Sequence, residues 1–213
     1  MNGAACTPGA NANGLKNVTG LGEYKTVLKF PSVTVSGLIT ASRERLFAIV
    51  SDVTRHPELA GSGEVQRVEW LSPAPHGAGS SFGSQQQLGA LRYPTRSYVQ
   101  EYDAPKRMVW LSGLGAKKPP LGQLWGFELE ELDARTTWVS HMMRVPMYPV
   151  LDIPPFSFLA DLGVQHEVRN MKPTLRHLAR MADAQLLGDI RVVMDWRTTA
   201  APCTQADSTL RAI

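Results

Sequence analysis

Cysteine is almost missing from this chain. Only Cys6 and Cys203 occur, one near each end of 213 residues, so no disulfide framework and no CxxC zinc or redox motif can be built. Long apolar runs are also missing. None approaches the ~20 residues that span a bilayer, so stable membrane insertion is not expected. The first 22 residues carry Gly, Ala and Asn where a signal peptide needs a basic start and an apolar block. A reducing, cytoplasmic setting is therefore the expectation. Charge of one sign is not in excess either. Lys and Arg number 22 against 19 Asp and Glu, and the stretch 40–184 holds 16 against 15. That balance gives no footing to a nucleic-acid partner.

Catalytic and cofactor signatures are equally scarce. His166-Glu167 lacks the second histidine of HExxH, because position 170 is Asn170. His56, His76, His166 and His177 show no ligand-like clustering with one another. Neither GxSxG nor a phosphate-binding loop occurs, and Gly113-Leu114-Gly115 fits no dinucleotide fingerprint. No metal and no other cofactor is expected.

What the chain does have is 43% apolar and 19% charged residues, enough to form a core. Residues 1–22 contain five Gly, four Ala and four Asn, too little apolar surface to offset ordering entropy, and read as a flexible head. The sequence predicts one domain over 23–187 and a small, polar tail over 188–213. Ser32–Thr40 alternates as a strand. Ser42 before Arg43-Glu44-Arg45 predicts a capped helix ending near Asp52, and His56-Pro57-Glu58 opens a second short one. Six strands are expected at Glu64–Leu71, Ser80–Leu88, Arg92–Tyr102, Arg107–Leu114, Leu124–Leu132 and Thr136–Val145. Their short connections imply antiparallel pairing. A long helix follows, roughly Phe158 to Leu187. Val164, Val168, Met171, Leu175, Leu178 and Ala182 form one narrow stripe on it, and Pro173 predicts a kink. A single long helix with an apolar stripe needs a sheet face to cover it, so the class is α+β.

This order, together with four phrases, resembles the START-like, helix-grip superfamily, in particular its bacterial polyketide cyclase/dehydrase-like (SRPBCC) branch. The phrases are ITASRERLFAIVSDVTRHPELAG at 39–61, EYDAPKRMVWLSG at 101–113, WGFELEELDARTTWVSHMMRVP at 125–146 and MKPTLRHLARMADA at 171–184. The resemblance implies a curved antiparallel sheet wrapped around a long C-terminal helix, two short helices after the first strand, and an apolar cavity between sheet and helix. Members bind lipids, polyketides, quinones or other apolar molecules, and only some catalyse a reaction. A small apolar molecule is the implied partner, and a homodimer is compatible with the sequence.

Several residues carry two readings each. Trp125, Phe127 and Leu129 share one strand face, as plain core or as the wall of a ligand cavity. Val139, His141 and Met143 share the inward face of the next strand; His141 either hydrogen-bonds a ligand or is satisfied by a neighbour. Trp110 joins the candidate wall. Arg96, Tyr98, Gln100 and Tyr102 alternate, so they either meet an oxygenated ligand or face solvent. Arg169, Lys172, Arg176 and Arg180 form a basic flank, read as an anion-binding stripe or a solvated face. Three functions follow: a carrier of a small hydrophobic or aromatic molecule, a cyclase/dehydratase using His141 with Arg96 or Tyr98 to polarise a carbonyl, or an interaction module with a filled core. Pro146–Phe158, apolar yet broken by four prolines, is the expected gate.

Overall fold

The computed structural model describes residues 29–114, 122–144 and 156–198. Most of the expected gate, residues 146–155, and the whole expected head lie outside that range. β1 (Lys29–Ile39) leads into α1 (Arg43–Ser51), a single 3-10 turn (Val53–Arg55) and α2 (His56–Leu59). Six strands follow: β2 (Val65–Trp70), β3 (Ser81–Leu88), β4 (Leu91–Asp103), β5 (Arg107–Leu114), β6 (Gly122–Asp133) and β7 (Thr136–Arg144). α3 (Phe156–Met181) and β8 (Leu186–Thr198) complete the described chain.

All eight strands form one antiparallel sheet in the order β2-β3-β4-β5-β6-β7-β1-β8. Register shifts between Val99 and Glu101 and between Glu131 and Asp133 leave one residue unpaired and bend the strands. α3 packs on β1, β7 and β8 and against α1 and α2. Its stripe of Met171, Leu175, Leu178 and Ala182 is buried against Val33, Val35, Ile39 and Val139. The helix passes through Pro173 without ending. Ser42 caps α1, accepting from the Arg45 N–H at 3.4 Å. The Thr137 hydroxyl donates to the Ala41 carbonyl at 2.8 Å, tying β7 to the entry of α1. This is the helix-grip arrangement: a large curved sheet closed around one long helix.

One boundary needs correction. The helix was expected to run to Leu187 and a tail to begin at 188; instead α3 stops at Met181 and residues 186–198 form an edge strand paired with β1. The signal was present in the sequence. Ile190, Val192, Met194 and Trp196 alternate with Asp189, Arg191, Val193 and Asp195, a period of two that the polar segment after Trp196 obscured.

Candidate ligand-binding cavity

Between the sheet and α3 lies a cavity of about 720 Å³. Its inner wall is aromatic because the inward positions of β3, β5, β6 and β7 carry rings. Phe82, Trp110, Trp125, Phe127 and His141 all line it. Ring centroids step from His56 to Trp110 at 5.3 Å, Trp110 to Phe127 at 6.3 Å and Phe127 to His141 at 4.1 Å. The last pair is nearly parallel, 10° apart. Gly126 permits this packing of β6 on β5, since a Cβ there would sit 2.9 Å from the Met108 carbonyl oxygen and from Val109 Cγ2.

A second wall is hydroxylic. Ser84 and Thr95 are hydrogen-bonded at 2.6 Å, and Ser97 and Ser112 at 2.7 Å, each pair bridging neighbouring strands. Gln86 Nε2 donates to Ser84 Oγ at 2.8 Å. All five residues line the cavity. Hydroxyls that both donate and accept thus continue the same sheet face beside the rings, Ser84 two residues from Phe82 and Ser112 two residues from Trp110.

Two histidines sit deep in this cavity. His141 Nδ1 donates to the Gly126 carbonyl at 3.0 Å, and burial pushes its imidazole down to about 4, so it is neutral at pH 7. His56 Nε2 donates to the Val50 carbonyl at 2.9 Å, satisfying one of the free carbonyls at the end of α1. Burial lowers its pKa as well.

A different cluster gathers where α3 meets the strand ends. His166 Nε2 donates to Glu64 Oε1 at 3.1 Å. Burial first, and the Glu64 carboxylate second, push the neighbouring Glu167 carboxyl up to about 7. Burial, then Glu64 and Glu167, also raise the Tyr93 phenol. The four side chains line the same cavity. Leu88, Leu91 and Leu114, all exposed, rim its open end. Among the described residues no three His, Cys, Asp or Glu groups are placed to hold a metal ion, and no helix is long and apolar enough to cross a membrane.

No family model matches the chain. Over 102 residues it is 35% identical to the uncharacterized protein Rv0088 of Mycobacterium tuberculosis, a match covering 48% of this chain and 42% of that protein. The chain therefore spans less than half the length of the curated relatives it matches. Among solved structures, the Zhui aromatase/cyclase from Streptomyces sp. R1128 superposes with a TM-score of 0.56 at 12% identity, over 72% of this chain and 94% of that one. A START superfamily protein from Mycobacterium smegmatis gives 0.50 at 16% identity, over 72% and 97%. The chain has the START-like helix-grip fold.

Within this START-like fold the sequence-predicted site residues divide into three groups. Trp110, Trp125, Phe127 and His141 line the cavity. Leu129, Val139 and Met143 are buried core and do not line it. Arg96 and Tyr98 point the other way, because the buried Ser97 and Val99 take the inward positions between them. Arg96 instead borders a shallow outer depression of about 290 Å³ with Arg67 and Glu69. The bulge at Gln100 then reverses the phase, so Tyr102 packs inward against Phe47 at 5.5 Å. Four residues spaced by two thus do not share a face, and the expected partnership of His141 with Arg96 or Tyr98 is not brought together. Sequence reasoning missed the serine and threonine wall, His56, and the group Glu64, Tyr93, His166 and Glu167. The serines gave no signal, since an inward serine reads the same as a solvent-facing one. The His56-Pro57-Glu58 phrase was visible only as a helix start.

Proposed function

We propose that this chain binds a small, flat, largely apolar molecule, an aromatic one in preference to an acyl chain, in the cavity between sheet and α3. The observation that carries this is the cavity itself. A void of about 720 Å³ is in the range of small-molecule sites and far beyond a packing defect. It argues against an interaction module with a filled core. Native mass spectrometry of freshly purified protein should find a non-covalent mass that Ser112→Phe, which fills the void from β5, removes. An environment-sensitive apolar dye should bind the parent at micromolar concentration and Ser112→Phe at least tenfold more weakly. Equal dye binding by a folded Ser112→Phe protein would sink the cavity assignment.

A second reading, an enzyme that moves a proton on the bound molecule, is favoured by one observation. Glu64, Tyr93, His166 and Glu167 converge on the cavity, and a carboxyl near 7 is suited to give and take a proton at neutral pH. Here Glu167 is the acid/base candidate in place of the His141 pair with Arg96 or Tyr98. If turnover occurs, Glu167→Gln should abolish it while ligand still binds.

A further inference from the structure

The hydrogen-bonding state of the two buried imidazoles can be read from their partners. A carbonyl oxygen only accepts, so His56 carries its proton on Nε2 toward Val50, and His141 carries its proton on Nδ1 toward Gly126. A neutral imidazole has one N–H and one lone-pair nitrogen. His56 Nδ1 and His141 Nε2 are therefore left as acceptors. Both residues line the cavity and are 7% and 5% exposed. Neither nitrogen belongs with the sealed polar atoms that lack a partner among the described residues, which are Arg43 Nε, Asn170 Nδ2 and His177 Nδ1. With no protein partner shown for it, each keeps some open surface, and both side chains line the void.

Resting on the cavity-binding reading above, we propose that this histidine pair selects ligands that present a hydrogen-bond donor, an aromatic hydroxyl above all, over matched ethers and ketones. The neighbouring serine and threonine hydroxyls can turn to donate or accept, so they discriminate poorly. The imidazoles cannot turn, because each is anchored through its other nitrogen and packed on a neighbouring ring, His56 at a tilt on Trp110 and His141 parallel to Phe127. An ether or carbonyl oxygen placed against them meets a lone pair and leaves a desolvated acceptor unpaired. A hydroxyl pairs with it, and sites of this kind reject the analogue that lacks the donor. Burial holds both rings neutral at pH 7, which keeps the acceptor nitrogens free of protons. The expected role of His141 in polarising a carbonyl is reversed, since at neutral pH its one donor is already used.

Calorimetric titration with 2-naphthol and its methyl ether tests this on the full chain. The naphthol should bind at least tenfold more tightly than the ether. His141→Phe should cut that ratio below threefold. Nitrogen-15 NMR of histidine-labelled protein gives a readout independent of whether the variant folds, and should show the Nδ1–H tautomer at His141 and the Nε2–H tautomer at His56. The opposite tautomers would overturn the proposal, as would a ratio near one or a ratio unchanged in both His141→Phe and His56→Phe. Equal binding of the two compounds removes the proposal alone, whereas binding of neither removes the cavity reading with it.

Discussion

His141 and Glu167 face one cavity yet respond to acid in opposite senses. Burial depresses the His141 pKa from 6.5 to about 4, so the unfolded chain takes up a proton first as pH falls. The contribution of His141 is complete above about 6.5 and is lost on acidification toward 4. Glu167 is raised from 4.5 to about 7, so the folded chain takes up its proton first and gains stability over the same window. Between pH 6.5 and 5.0 each shift is worth about 1.5 kcal/mol, with opposite sign. Glu167→Gln should therefore lose roughly 1.5 kcal/mol more than the parent over that interval in urea unfolding. His141→Phe should lose about that much less. Identical pH profiles for parent and Glu167→Gln would place that carboxyl in water. Of these two residues the sequence singled out only His141, through its place in an apolar alternation. The pairing of Glu167 with Glu64 across about a hundred residues follows from the fold and leaves no local pattern.

At the scale of elements, most of the architecture was legible because each strand and helix keeps its own period. β7 is the clearest case, with Thr137, Val139, His141 and Met143 all buried and their neighbours less so. What escaped was long-range or irregular. The bulge at Gln100 reverses the phase of β4, and β8 is specified as much by the exposed edge of β1 as by its own residues. Truncation after Gln185 should lower the melting temperature by more than about 5 °C, above ~1 kcal/mol for a domain this size, because Leu186, Ile190 and Val192 pack on the core from that strand. An unchanged melt would mean β8 adds nothing to the sheet. The junction of α2 with α3 is tighter still. The Gly61 N–H donates to Thr174 Oγ1 at 2.9 Å, and a Cβ on Gly61 would sit 2.6 Å from Pro173 Cβ and from the Thr174 nitrogen and closer yet to the Asn170 carbonyl oxygen. Helix backbone cannot give way cheaply, so Gly61→Ala should destabilise by about 1–3 kcal/mol. Since Gly61 also lines the cavity, the same variant should weaken dye binding. A Gly61→Ala protein with parental stability would show that α2 is free to lift off α3.

For the molecule as a whole, what a ligand displaces from the cavity decides what it gains by binding. The rings of Phe82, Trp110 and Phe127 give water little to hold, whereas Ser84, Thr95, Ser97 and Ser112 offer several partners in one strip. Ordered water should therefore collect along that strip and leave the aromatic side poorly hydrated. A flat ligand that covers the rings while keeping the hydroxyl strip satisfied gains apolar burial without stranding polar groups. Charge has little part in this, because the protein is close to electrically balanced and the deep walls carry no ionised side chain at neutral pH. Affinity for a neutral aromatic probe should then change less than twofold between 50 and 500 mM NaCl. At a hundred times its dissociation constant the probe should stabilise the fold by about 2.7 kcal/mol, a rise of roughly 5–10 °C in melting temperature. Binding that weakened tenfold across that salt range would put the ligand at the cluster of Glu64, His166 and Glu167. Binding without a rise in melting temperature would mean that the unfolded chain takes the probe equally well, and the cavity would not be its site.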